Sequence, residues 1–242
     1  MFLQPVIGSH FCRLSRYSML VLTFILVGCA GSNGQTMKAQ NPPAINYEFT
    51  GIPLLYFGYG SSVPLTPNLS LTAAHVAKMN YAKVVAYHPT CDVALIESDN
   101  QHVVLPELGL VYQGEKIEAF GVSGSGDVVM GKGTYHLDLN FVNSRYFSQC
   151  PASITDAPIR SGMSGGGAFN AQGELVGILA AIANKADTRL VNGEELDIER
   201  LSIFVSINFI QPWLKAQVNT YHHGEYQWPN VETNETRLAR QQ

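Results

Sequence analysis

The 242-residue sequence predicts an all-β protein that ends in one helix. Two patterns and one proportion carry that expectation. Between about residues 46 and 210 the chain is a series of short runs rich in Val, Ile, Leu, Tyr and Phe. They are Pro53–Phe57, Ser70–Thr72, Lys83–Tyr87, Val93–Ile96, Lys116–Phe120, Leu137–Phe141, Leu175–Ile182 and Ile203–Ile207, with Gly-, Pro- and Asn-bearing breaks between them. Many short strands at this spacing indicate a sandwich or barrel. Helical periodicity emerges only late, where Phe209-Ile210, Trp213-Leu214 and Val218 recur at helical spacing. Hydrophobic residues make up 46% and charged residues 14%, a balance with ample core material.

Each remaining stretch has its own reading. Arg13 and Arg16 precede an apolar run, Met19–Val27, too short to span a bilayer but suited to the core of a secretory leader. The run ends in Leu26-Val27-Gly28-Cys29, which resembles a bacterial lipobox. Residues 1–28 are therefore expected to be removed and Cys29 to be acylated. Residues 29–45, rich in Gly, Ser, Asn, Gln and Pro, read as a flexible tether. A short helix is expected after His75, through Val76–Met79, and residues 220–242 read as a polar tail. Ala30 after the lipid cysteine, in place of Asp, favours the periplasmic side of an outer membrane.

Charge and cysteine content exclude several classes. The formal net charge of −4 becomes −6 when Arg13 and Arg16 leave with the leader, which holds no acidic residue. No block of like charges occurs, so nucleic acid is not an expected partner. No C-x-x-C or H-E-x-x-H pattern supports a zinc site. With Cys12 in the leader and Cys29 acylated, Cys91 and Cys150 remain in an oxidising compartment, available for one disulfide.

Three segments hold the candidate chemistry: Leu71-Thr72-Ala73-Ala74-His75-Val76, Cys91-Asp92-Val93-Ala94-Leu95-Ile96 and Ser161-Gly162-Met163-Ser164-Gly165-Gly166-Gly167. A serine hydroxyl is a poor nucleophile alone. It needs a histidine to take its proton and a buried carboxylate to hold the imidazole in one tautomer. Gly162 is free to adopt backbone angles that aim its N–H inward, beside that of Ser164, where an oxyanion would develop.

These segments resemble the chymotrypsin-like serine peptidases, and most closely the HtrA-type periplasmic proteases. Thr155–Gly166 is similar to that group's nucleophile segment, and Asn170–Ile178 continues it as a hairpin. Ala82–Ile96 resembles the strand, turn and strand that deliver the aspartate, and Gly114–Gly133 the first strands of a second barrel. The likeness covers roughly residues 50–218, in the order His, Asp, Ser. It implies two six-stranded antiparallel barrels within residues 46–219, split near residue 111, with His75, Asp92 and Ser164 as catalytic triad. It implies a serine endopeptidase acting on polypeptides, with no metal or organic cofactor. The resemblance also places Pro158 at the base of the pocket for the side chain before the cut. Ala180, Ala181, Ile182 and Ser202 form its walls, which favours a small or apolar side chain.

The sequence departs from the family in four places. His75 and Asp92 are only 17 residues apart, so the first barrel is expected to be abbreviated. Met163 stands where trypsin has an aspartate that pairs with its cut N-terminus. Too few residues remain for a PDZ domain. Cys91 directly precedes Asp92, so a bridge to Cys150 would brace the aspartate loop.

His88, near Asp92, is a rival base, assigned to the surface because it follows a strand in a His-Pro turn. His222 and His223 are read as solvated. One rival function is a catalytically inactive trypsin-like binding protein, although all three triad members are present. Another is an α/β-hydrolase esterase, because Gly162–Gly166 also fits G-x-S-x-G, with Asp187 or Asp197 and His222 as partners. Only 78 residues follow Ser164, which speaks against that fold.

Overall fold

The computed structural model describes residues 31–228 except 53, 143 and 145. The leader, Cys29 and the last part of the tail, 229–242, lie outside the described residues. The remainder is all-β with one long helix at its C-terminal end.

The first sheet holds β2 (Asn46–Ile52), β3 (Tyr56–Thr66), β4 (Leu69–Thr72), β5 (Val84–Tyr87) and β6 (Ala94–Glu97). Its order is β2-β3-β4-β6-β5, antiparallel throughout. Strand β4 sits at the centre and all four of its residues are buried. Leu69 and Leu71 point one way into the apolar core with Leu95, each full burial stabilising by about 1.5–3 kcal/mol. Ser70 and Thr72 point the other way, and each is hydrogen-bonded: Ser70 Oγ to Asn100 Oδ1 and Thr72 Oγ1 to the Ser61 carbonyl. Pro64 is accommodated inside β3 because the β3–β4 register shifts there. The sheet has five strands, not six, as the short His75–Asp92 spacing foretold.

The second sheet is a closed barrel. Strands β7 (Lys116–Val122), β8 (Val128–Leu139), β9 (Ala152–Thr155), β10 (Gly167–Phe169), β11 (Leu175–Ala183) and β12 (Leu201–Ser206) run β8-β7-β10-β11-β12-β9 and return to β8. Inside lie Ile117, Ala119, Val129, Tyr135, Ala168, Leu179 and Phe204, together with Met163. Residues 98–115 join the two sheets. Helix α1 (Ala74–Ala77) includes His75, and helix α2 runs Ile207–Tyr221. Ser206 caps α2, its hydroxyl accepting the Asn208 N–H at 3.2 Å. Ile207, Ile210, Leu214 and Val218 form its buried stripe.

Two expectations about the chain ends are corrected. Residues 32–39, expected to be a free tether, lie along the second barrel. Strand β1 (Met37–Lys38) pairs with β8, and Ser32 bridges Arg160. Polar composition did not prevent docking because backbone groups and the side chains of Asn33 and Lys38 find partners on the barrel. The start of the tail also packs: His222 Nε2 lies 3.3 Å from Thr66 Oγ1, and Tyr226 donates to the Leu65 carbonyl. Among the described residues no helix is long and apolar enough to cross a membrane.

Candidate active site

Strand β4 ends in Thr72, Ala73 turns the chain, and α1 begins at Ala74. Ala73 provides no side-chain cap. The orphan amides at a helix start need acceptors, and Asp92 supplies one from outside. Its Oδ1 accepts the His75 backbone N–H at 3.0 Å, while Oδ2 lies 2.6 Å from His75 Nδ1. Asp92 is 2% exposed. The His75 side chain is 40% exposed, so the ring is held on its Asp92 side and open elsewhere.

Asp92 is placed by the turn before β6. Cys91, beside it, is bonded to Cys150, with Cα atoms 5.0 Å apart. The bridge ties the aspartate loop to the chain entering β9. His88 departs from its expected surface position. It is half-buried, its ring meets Trp213 edge-on at 5.1 Å, and its Nδ1 accepts the Cys91 N–H at 2.9 Å. Burial pushes its pKa down. The ring therefore serves as an acceptor that shapes the Asp92 turn.

The segment Ser161–Gly166 forms the facing loop, and its glycines are required by geometry. Gly162 and Gly165 have φ of +93° and +85°, a region that favours glycine. A Cβ on Gly165 would lie 2.0 Å from the Ser61 carbonyl and 2.3 Å from Thr72 Oγ1. The glycine loop bearing Ser164 is thus pressed against the strand end that leads to His75. Gly60 is wedged between the two sides as well: a Cβ there would meet Val76 Cγ1 at 2.7 Å and the Ser164 carbonyl at 3.3 Å.

Ser61 was not singled out by sequence reasoning, yet it organises this loop. Its N–H donates to the Ser164 carbonyl at 2.8 Å, and its Oγ donates to the Gly162 carbonyl at 2.8 Å. That Oγ accepts the Val122 N–H at 2.9 Å. Both loop carbonyls are engaged on the Ser61 side. The Gly162 and Ser164 N–H groups make no hydrogen bond among the described residues. Gly165 N–H donates to the Leu179 carbonyl at 2.7 Å, fastening the loop to β11. The Ser164 hydroxyl donates to the Ala180 carbonyl at 3.4 Å, a long contact, and not to His75.

The five expected pocket residues gather around the ends of β9, β11 and β12. Pro158 is buried and Ala180 is 4% exposed, while Ala181 and Ile182 reach the surface more. Ser202, paired with Ile182 across β11–β12, is fully buried. Its hydroxyl donates to the Ala157 carbonyl at 2.6 Å and accepts from Asn33 Nδ2 at 2.8 Å. The Ser202 hydroxyl is thus engaged on both sides by the protein's own groups. A cavity of about 400 Å³ is lined by Leu139–Val142 and Ser144 on one side and by Asp187–Val191 and Leu196 on the other. Among the described residues no group of three or more His, Cys, Asp or Glu side chains is arranged to hold a metal.

A family model described as a trypsin-like peptidase domain matches residues 70–178. That stretch contains His75, Asp92 and Ser164. The fold is similar to that of the HtrA-type protease AlgW with a bound tripeptide, at 21% identity and a TM-score of 0.57. This match covers 75% of the present chain and 61% of that one. The serine endoprotease from Yersinia pestis is similar at 18% identity and a TM-score of 0.53, covering 73% and 63%. The active form of the Rv3671c protease from M. tuberculosis is similar at 16% identity and 0.56, covering 78% and 84%. The chain therefore spans under two thirds of the length of the first two. No curated protein matches the sequence. At these identities the likeness establishes a chymotrypsin-like fold. The antiparallel closure of the second sheet rules out the α/β-hydrolase alternative.

Proposed function

We propose that this trypsin-like peptidase domain is a serine endopeptidase that uses His75, Asp92 and Ser164. The observation that carries the reading is the double contact between buried Asp92 and His75, on a strand end pressed against the glycine loop that bears Ser164. A weak Ser164–Ala180 contact leaves the hydroxyl free to rotate. Hydrogen bonds among such groups often tighten only when substrate is bound.

In the reaction, Ser164 Oγ attacks the peptide carbonyl while His75 Nε2 accepts the hydroxyl proton. Asp92 fixes the proton on Nδ1 and stabilises the imidazolium. The Gly162 and Ser164 N–H groups receive the oxyanion. His75 then protonates the leaving amine, and water activated by the same ring hydrolyses the acyl-enzyme. The substrates are polypeptides with a small or apolar side chain before the cut, because Pro158, Ala180, Ala181 and Ile182 bring no charge.

Acylated Cys29 would hold the domain at the periplasmic side of an outer membrane. Asn33 docks on the barrel, so only a few residues remain to serve as a tether. Four residues from Cys29 to Asn33 reach at most about 14 Å. The domain would therefore stay close to the bilayer.

A fluorophosphonate probe tests the reading on the chain lacking residues 1–29. Labelling should map to Ser164 and accompany casein hydrolysis. Both should vanish in Ser164→Ala, with kcat down by about 10⁶-fold. Persisting turnover in that variant, or an intact chain that neither labels nor cleaves, would reject it. The second outcome would favour an inactive binding protein.

A further inference from the structure

The segment upstream of the first sheet forms part of the second barrel, and it touches the wall of the proposed substrate pocket. Asn33 is its key residue. Its Oδ1 accepts the Ile159 N–H at 2.9 Å, and its own N–H donates to the Ile159 carbonyl at 3.2 Å. Its Nδ2 donates to Ser202 Oγ at 2.8 Å. One side chain thus spans the Ala157–Arg160 segment, which contains Pro158, and strand β12. Ser202 completes the circuit by donating to the Ala157 carbonyl at 2.6 Å.

The close approach is built into the sequence. A Cβ on Gly34 would lie 2.8 Å from Pro158 Cβ and 3.2 Å from Arg200 Cδ. Beyond it the chain is fastened again, with Met37 opposite Met130, Lys38 opposite Val129 and the Ala39 N–H on the Val128 carbonyl at 3.0 Å. Lys38 Nζ also meets Asp127 at 2.6 Å. Met163 next to the nucleophile is fully buried and offers no carboxylate to a free amino terminus. The docking therefore uses an internal residue and needs no chain end.

We infer that Asn33 is a positioning residue for the substrate pocket, and that the pocket wall is complete only with residues 32–39 docked on the barrel. This rests on the endopeptidase reading above. Losing Asn33 leaves the Ile159 N–H without its partner and frees Ser202 to turn. The Pro158 base then loosens, while the His75–Asp92 pair, braced from the first sheet, stays as it is.

The test uses the full chain with Asn33→Ala or Asn33→Asp. Two readouts are needed: amide exchange at Ile159, and kinetics on a peptide anilide with Ala or Val before the cut. For Asn33→Ala, Ile159 should exchange about tenfold faster or more, the scale of a lost buried hydrogen bond. KM should rise about tenfold while kcat and the rate of Ser164 labelling change less than about threefold. Asn33→Asp keeps the acceptor for Ile159 but loses the donor to Ser202. It should leave Ile159 protected and raise KM by about threefold, and it decides the matter if the alanine variant does not fold. Unchanged KM in a folded variant overturns the inference, whether or not exchange speeds up. If the parent chain neither cleaves nor labels, the endopeptidase reading has failed instead, and Ile159 exchange alone then decides whether Asn33 holds the wall.

Discussion

Asp92 contacts His75 at two points, the backbone N–H at 3.0 Å and the ring Nδ1 at 2.6 Å. The first contact satisfies a helix-start amide. The second fixes which ring nitrogen carries the proton. With an amide in place of the carboxylate, the side-chain nitrogen facing Nδ1 would donate where Oδ2 now accepts, and the ring proton would move to the Ser164 side. Asp92→Asn should therefore fold normally yet lose about 10⁴-fold in kcat. Steady-state kinetics beside a thermal melt would check both halves.

Ser61 holds the Gly162 and Ser164 carbonyls from the first sheet. Ser61→Ala keeps the backbone bond to Ser164 but releases the Gly162 peptide and leaves the Val122 N–H unpaired. Loss of an oxyanion donor outright costs about 10²–10³-fold. Release of its peptide should cost less, about 10- to 100-fold in kcat, with KM nearly unchanged. Equal losses in stability and none in kcat would show that Ser61 only supports packing.

The Cys91–Cys150 bridge closes a loop of 59 residues in sequence separation. On the chain-entropy account such a cross-link is worth about 4 kcal/mol. The double variant Cys91→Ser, Cys150→Ser should lose stability of that order in denaturant unfolding. Peptide cleavage should fall too, since the bond anchors the residue next to Asp92.

His88 makes the fold sensitive to acid. Its pKa is lowered by burial, and its Nδ1 must stay unprotonated to accept the Cys91 N–H. Between the folded and unfolded pKa values the unfolded chain holds the extra proton, so stability rises with pH. The contribution is whole above the unfolded value of about 6.5 and is lost as pH falls from there toward the folded value. His88→Asn offers a non-titrating acceptor. Its melting temperature should fall less steeply than that of the parent between about pH 6.5 and 5.

Short-range features made much of this protein legible in its sequence. Short apolar runs between Gly-, Pro- and Asn-bearing breaks announced an all-β chain, because a buried strand and the turns that bound it are both written into consecutive residues. The stripe Ile210, Leu214 and Val218 did the same for α2. The segments around His75, Asp92 and Ser164 were readable because each is a contiguous motif whose glycines and small residues answer to local backbone needs. The short spacing before Asp92 also announced the reduced first sheet.

What tertiary structure decided were pairings between distant residues of ordinary type. Ser61 meets Gly162 across 101 positions and Asn33 meets Ile159 across 126. Nothing local to a serine in a strand, or to an asparagine in a polar run, marks it for such work. A hydrogen-bonding side chain acquires a role only when closure of the barrel brings an unpaired N–H or carbonyl within about 3 Å. The same holds for His88, whose His-Pro turn suggested solvent until Trp213 on α2 covered it. Composition fixed what these side chains are able to bond, and the meeting of the two sheets fixed which groups they bond.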